Sequence, residues 1–347
     1  MCYKFVHTCH KLLRIVVIPL LLLFTPVLKA ENTSDGYNFL NIPTSSHVFA
    51  LGGNNIAIID DDVTLADQNP ALIGPELEKQ IAVNYMYYMS SGNFAGIRFG
   101  NGAGEHSAWA IGMRYLNYGK FDGYDEFGSS TGQFTPSDLV FEGTYSRDIT
   151  DRWRGGVNLK MAYSSYEQYS AFAIAADLGV NYYDDEKDLS FSVVLKNMGG
   201  QVKRFHERYV RVPFDIQFGY MQGIGTSPFQ VSITANNLTR WNIPYYEYKD
   251  DESGHLLHEK KGFFTNFFRH LIFGLQYEPS EKFYAALAYN YKTHSDMSAF
   301  KSSFFSGFSL GLGFRTRGFS VGASYAMPHK SASSLMINLS CSIGELL

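Results

Sequence analysis

Asp60-Asp61-Asp62 is the one run of three consecutive aspartates in the chain. Carboxylate oxygens suit a hard cation such as calcium. Calcium loops, however, alternate their ligands and recruit further oxygens, whereas three consecutive aspartates point in different directions. The run is therefore expected to cap a helix and to form salt bridges to a neighbouring wall, without a metal. His255 and His258 stand three residues apart, but no Cys or further His completes a zinc set. The other histidines downstream of the leader, at 47, 106, 206, 270, 294 and 329, are scattered. Gly52-Gly53 is not followed by the Lys-Ser/Thr of a phosphate loop, and no nucleophile elbow is recognised. These residue types point to no enzyme, no metal and no cofactor.

The elements that must position these residues begin with the ends of the chain. Residues 1–30 read as a secretory signal peptide. Lys4, Lys11 and Arg14 form a basic region, Ile15 to Leu28 is an uncharged apolar run, and Ala30 offers a small residue before a cleavage point. The run is short for a membrane-spanning helix, which needs about 20 apolar residues. Cleavage removes Lys4, Lys11, Arg14 and Lys29, leaving 25 basic against 33 acidic side chains (25 − 33 = −8). An acidic exported chain lacks the basic footprint of a nucleic-acid binder. Cleavage also removes Cys2 and Cys9, so Cys341 is left without an internal disulfide partner.

From Gln80 onward the dominant period is two. Leu335, Ile337, Leu339 and Cys341 alternate with Met336, Asn338 and Ser340, and Phe308, Leu310, Leu312 and Phe314 alternate with Ser309, Gly311 and Gly313. Alternation gives each strand one apolar and one polar face. A soluble β-sandwich would show the same pattern. Strand length, however, is close to the roughly 9–11 residues that cross a bilayer, and Tyr and Phe gather near strand ends, as in Asn84 to Tyr88. Fourteen strands are expected between residues 80 and 347, the first at 80–90 and the last at 334–344. The four long connections, after Tyr118, Asn197, Leu238 and Lys292, all follow odd-numbered strands. Short turns at one end and long loops at the other are the habit of outer-membrane barrels. The expected fold is thus an all-β, 14-stranded antiparallel outer-membrane barrel in contact with lipid. In the longest loop Phe263, Phe264, Phe267 and Phe268 repeat at helical spacing. They are expected either to dock a partner or to fold onto the barrel rim.

Residues 31–79 precede the barrel and are too few, and too rich in Gly, Asn and Asp, to form a stable domain alone. Asp62 is placed to cap a short helix over Val63–Gln68, and Asn69-Pro70 to form a turn. The segment is expected to start beside the short-turn opening and to plug the lumen. Its stretch from Leu51 to Gly74, with Leu51-Gly52-Gly53, Asp60-Asp61-Asp62 and Asn69-Pro70-Ala71, resembles the N-terminal hatch of FadL-like outer-membrane barrels. Within that fold, Tyr37 to Val63 and Asn69 to Leu72 are most similar to the PorQ-like branch, related to PorV, of the type IX secretion system of Bacteroidota. The resemblance implies a non-enzymatic component of the outer membrane of a Gram-negative bacterium. It also implies that the extracellular loops hold a PorZ-like surface protein while cargo is processed and attached. The alternative, on the same fold, is a FadL-like transporter of hydrophobic small molecules.

Overall fold

The computed structural model describes residues 36–346, apart from 90, 126, 206–208, 244–245, 249–255, 259–261, 299–304 and 330–331. The leader at 1–30, His206 and His255 lie outside the described residues. In chain order the first strands are β1 Gln80–Tyr88, β2 Gly92–Gly102, β3 Ser107–Asn117, β4 Phe121–Tyr124, β5 Ser130–Phe134 and β6 Ser137–Thr150. There follow β7 Trp153–Tyr166, β8 Tyr169–Asp184, β9 Leu189–Lys203, β10 Asp215–Gly223, β11 Phe229–Ala235 and β12 Tyr246–Tyr248. The last are β13 Leu256–His258, β14 Leu271–Ser280, β15 Phe283–Asn290, β16 Phe308–Thr316, β17 Phe319–His329 and β18 Ala332–Ser342. Fourteen of them close an antiparallel barrel in which each strand pairs with its sequence neighbours and β18 returns to β1. The other four form two loop hairpins, β4–β5 and β12–β13.

The register explains the period of two. Leu339, Val83, Ile97, Met113, Phe141, Met161 and Ile174 are successive cross-strand neighbours, and all are exposed on the outer wall. Their inward alternates include Asn338, Asn84, Arg98, Arg114, Glu142 and Lys160, all buried. An apolar exterior around a polar filling is the arrangement required of a barrel in lipid. No helix of the described residues is long and apolar enough to cross a membrane, so strands make the crossing. One end carries the short turns 103–106, 151–152, 185–188, 224–228, 281–282 and 317–318. The other carries the long connections between β3 and β6, β9 and β10, β11 and β14, and β15 and β16.

Two expectations are corrected. The long connection expected after Asn197 begins later, because β9 continues to Lys203 after a bulge opposite Asp177. β10 correspondingly starts at Asp215, beyond Pro213, which has no N–H to give a ladder. Secondly, the N-terminal segment does not start at the short-turn opening. Gly36 N–H donates to Arg211 O at the long-loop end (3.1 Å), and the chain then runs down the lumen to meet β1 at Gln80. The apolar content of its first residues decides this. Phe39, Leu40 and Ile42 bury against Met86, Phe94, Leu116, Val140 and Met336, which face inward in the long-loop half.

Candidate functional site

The lumen is filled at three depths, and each depth uses a different chemistry. The uppermost is apolar. A short helix at Asn38–Asn41 presents Phe39 and Leu40 to the inward-facing cluster, roofed by Tyr37, Tyr118 and Phe205. Gln201 Nε2 donates to the Tyr37 hydroxyl at 3.0 Å, and Asp138 accepts from Tyr118 (2.6 Å), Tyr166 (3.0 Å) and Ser164. The roof is therefore aromatic inside and hydrogen-bonded at its rim.

Below it lies a belt of buried ions. Glu142 accepts from both Arg98 and Arg114. Arg114 also donates to Ile42 O (2.9 Å) and lies 3.6 Å from Asp67, so one guanidinium ties β3 to two points of the plug. Lys160 pairs with Asp177 at 2.6 Å, and Lys196 donates to Gln68 Oε1 at 3.4 Å. Buried charges persist only when paired and hydrogen-bonded, and here the plug supplies part of the pairing.

The motif residues brace this level. Asn69 Oδ1 accepts from Ala71 N–H (2.9 Å), while its Nδ2 donates to Ile56 O and Ser192 Oγ, both at 3.0 Å. Pro70 and Ala71 lie against Gly156 of β7, where a Cβ would stand 2.5 Å from the Pro70 carbonyl. The wall thus leaves room for the turn. Leu51 is fully buried, and Gly52 and Gly53 both hold positive φ (92° and 82°), a turn that other residues resist.

The lowest level closes the short-turn end. Asp60 accepts from Arg315 of β16 (2.9 Å) and contacts His47 Nδ1 (2.7 Å), while His47 Nε2 meets Gln276 of β14 (2.7 Å). The His47 ring stacks on Tyr284 with centroids 3.7 Å apart. Burial alone would push the Asp60 carboxyl up, but the Arg315 guanidinium and the His47 hydrogen bond hold it at about 2. Asp61 and Asp62 are pushed up, by burial and then by the Asp60 charge. Asp62 caps the helix at Val63–Asp67 through Thr64 N–H (2.9 Å) and accepts from Asn338 (3.0 Å). Asp60 and Asp62 therefore diverge to two different tasks, and Asp61 between them is exposed. A cavity of about 130 Å³ remains beneath them, lined by His47, Asp62, Arg315 and Asn338.

Spacing in the sequence assigns His47 no role, because its partner Gln276 is 229 residues away. The ionic belt is equally dispersed. The chain does carry three G-x-S-x-G strings, Gly128 to Gly132 in the β4–β5 hairpin, Gly318 to Gly322 with its serine inside β17, and Gly307 to Gly311. Ser309, however, sits inside β16 and donates to Ala50 O at 2.8 Å, so it is a wall-to-plug contact and not a strand-to-helix elbow. His258 falls in the β12–β13 hairpin, and Phe263, Phe264, Phe267 and Phe268 form a six-residue helix at the long-loop rim.

Among the described residues the register of the wall shifts at several points, one of them beside β10. β9 and β10 pair from Leu189 to Lys196, beyond which β9 continues without β10. At the break Asn197 holds a positive φ (55°), and its N–H donates to the Asp177 carboxylate at 2.7 Å. No protein-family model and no curated protein sequence matches the chain. Among solved structures it is similar to the Pseudomonas putida toluene transporter TodX, at 10% identity and TM-score 0.52 over 89% of this chain and 98% of that one. It is also similar to the Ralstonia pickettii toluene transporter TbuX, at 11% identity and TM-score 0.50 over 87% and 98%. A TodX monoaromatic hydrocarbon channel with the deltaS2S3 mutation matches at 9% identity and TM-score 0.53 over 86% and 97%. At these identities the likeness is one of fold alone, that of a closed outer-membrane β-barrel.

Proposed function

We propose that this protein is a plugged channel of the Gram-negative outer membrane, exported on a cleaved leader, that admits small hydrophobic molecules and catalyses no reaction. The observation that carries this reading is the apolar lining of the lumen at the long-loop end, where Phe94, Leu116, Val140 and Met336 pack on Phe39 and Leu40 of the plug. An apolar lining of this kind above a belt of buried ions would receive apolar guests where Phe39 and Leu40 give way, and refuse them the axial route. The β9–β10 break beside Asn197 is then the exit to be tested. The shared fold with toluene transporters supports the choice of a monoaromatic probe. Expression in a heterologous outer membrane should raise uptake of radiolabelled toluene clearly above an empty-vector strain. Uptake equal to the vector, with the barrel correctly inserted, would overturn the reading.

A second reading keeps the barrel as a surface anchor for a PorZ-like secretion protein. It is favoured by the β4–β5 hairpin, whose Tyr124 and Phe127 are 65% and 91% exposed among the long connections. Affinity isolation from native outer membranes should then recover a surface protein that is lost when residues 121–134 are removed. Recovery unaffected by the deletion would count against that hairpin as the dock.

A further inference from the structure

The helix at Phe263–Phe268 is oriented inside out. At about 100° per residue, Phe263, Phe264, Phe267 and Phe268 share one arc, and Asn266 lies opposite. The phenylalanines are 64%, 75%, 41% and 43% exposed, while Asn266 and the following Arg269 are 5% and 1% exposed. Asn266 donates to Trp241 O, and Arg269 donates to Ile243 O (2.8 Å) and to Asp296. A rim helix facing water would bury its rings and expose its amide and guanidinium. This one does the reverse.

The exposed rings also continue an existing surface. Phe273, Tyr289 and Phe308 are cross-strand neighbours on the outer faces of β14, β15 and β16. Their inward alternates Ile272, Ala288 and Ser309 are buried. That row is the aromatic band expected where a barrel meets the lipid interface. Phe268 packs on Phe273 (6.5 Å between ring centroids) and on Tyr291 (6.1 Å), and Tyr291 packs on Tyr289 (6.4 Å). Trp241 extends the sheet of rings to Phe263 at 5.6 Å.

We propose that the Phe263–Phe268 helix is a membrane-interface foot that rests its rings on the acyl chains of the outer leaflet, anchored to the neighbouring long connections by Asn266 and Arg269. Its partner is lipid and not a protein. The aromatic face of an interfacial helix gains by burying apolar area in the headgroup–acyl boundary, and the buried polar residues keep it from detaching.

Spin labels at Phe264→Cys and Phe267→Cys, in a Cys341→Ser background, test this in phosphatidylcholine vesicles, with Tyr124→Cys as the aqueous control. Labels at 264 and 267 should collide readily with oxygen and poorly with a water-soluble nickel chelate, and the label at 124 should show the opposite. Chelate access at 264 and 267 equal to that at 124 would overturn the proposal, as would exclusion of both reagents. A Phe264→Trp variant gives a second readout. Acyl-brominated phosphatidylcholine should quench it more strongly than the unmodified protein, and equal quenching would again refute the lipid contact.

Discussion

Asp60 holds its charge against burial because Arg315 and His47 both meet its Oδ2. Its folded-state value of about 2 lies below the ordinary carboxyl range near 4. A depressed value means that the folded state favours the anion. The stability it contributes is therefore fully present above pH 4 and is lost as pH falls towards 2. Asp61 and Asp62 run the other way. Their raised values make ionisation unfavourable, so what they contribute is lost as pH rises. Asp60→Asn should cost about 2 kcal/mol at pH 7. That loss should be read as a lower midpoint for heat-induced loss of the compact gel band. The difference from the parent should shrink on approach to pH 2. An unchanged midpoint at pH 7 would mean that the clamp contributes nothing.

At the scale of elements, alternation is what made the strands legible. Two solvents, lipid outside and a polar filling inside, impose opposite demands on successive residues such as Leu339 and Asn338. The side on which each long connection lies follows from the same count. The direction of the plug was not legible, because the residues that receive Phe39 and Leu40 are spread from Met86 to Met336 and meet only through the register. The bulge in β9 was hidden for a similar reason. Nothing near Asn197 in sequence signals that Asp177, on another strand, takes its N–H. Asn tolerates the positive φ there, and its side chain also bonds Lys160 (2.9 Å) and Asn41 of the plug (2.8 Å). Asn197→Gly should keep the backbone turn and still assemble. Asn197→Val, β-branched at positive φ, adds a strain of roughly 1–3 kcal/mol. It should reduce the yield of the heat-modifiable barrel well below that of the Gly variant. Equal yields would place the role of Asn197 in its side-chain bonds and not in its backbone.

For the whole molecule, the seal is redundant by depth. The aromatic roof, the ion belt and the Asp60 clamp fill the lumen at three depths, each by its own chemistry. Breaking one leaves two, so Asp60→Asn should destabilise without opening a pore. Removing the plug itself is different. Without residues 36–74, Arg98, Arg114, Lys160 and Lys196 would face a lumen that water can enter, and hydration can replace the partners the plug supplied. The barrel wall keeps its fourteen ladders, because none of the β1 to β18 pairings passes through the plug. In planar bilayers the full chain and Asp60→Asn should therefore both show no steady ion conductance, and the 36–74 deletion should show large, stable openings. Steady conductance from the full chain would mean that the three levels do not close the lumen in a membrane. A silent deletion, in a barrel proven to be inserted, would mean that the long connections can seal it alone.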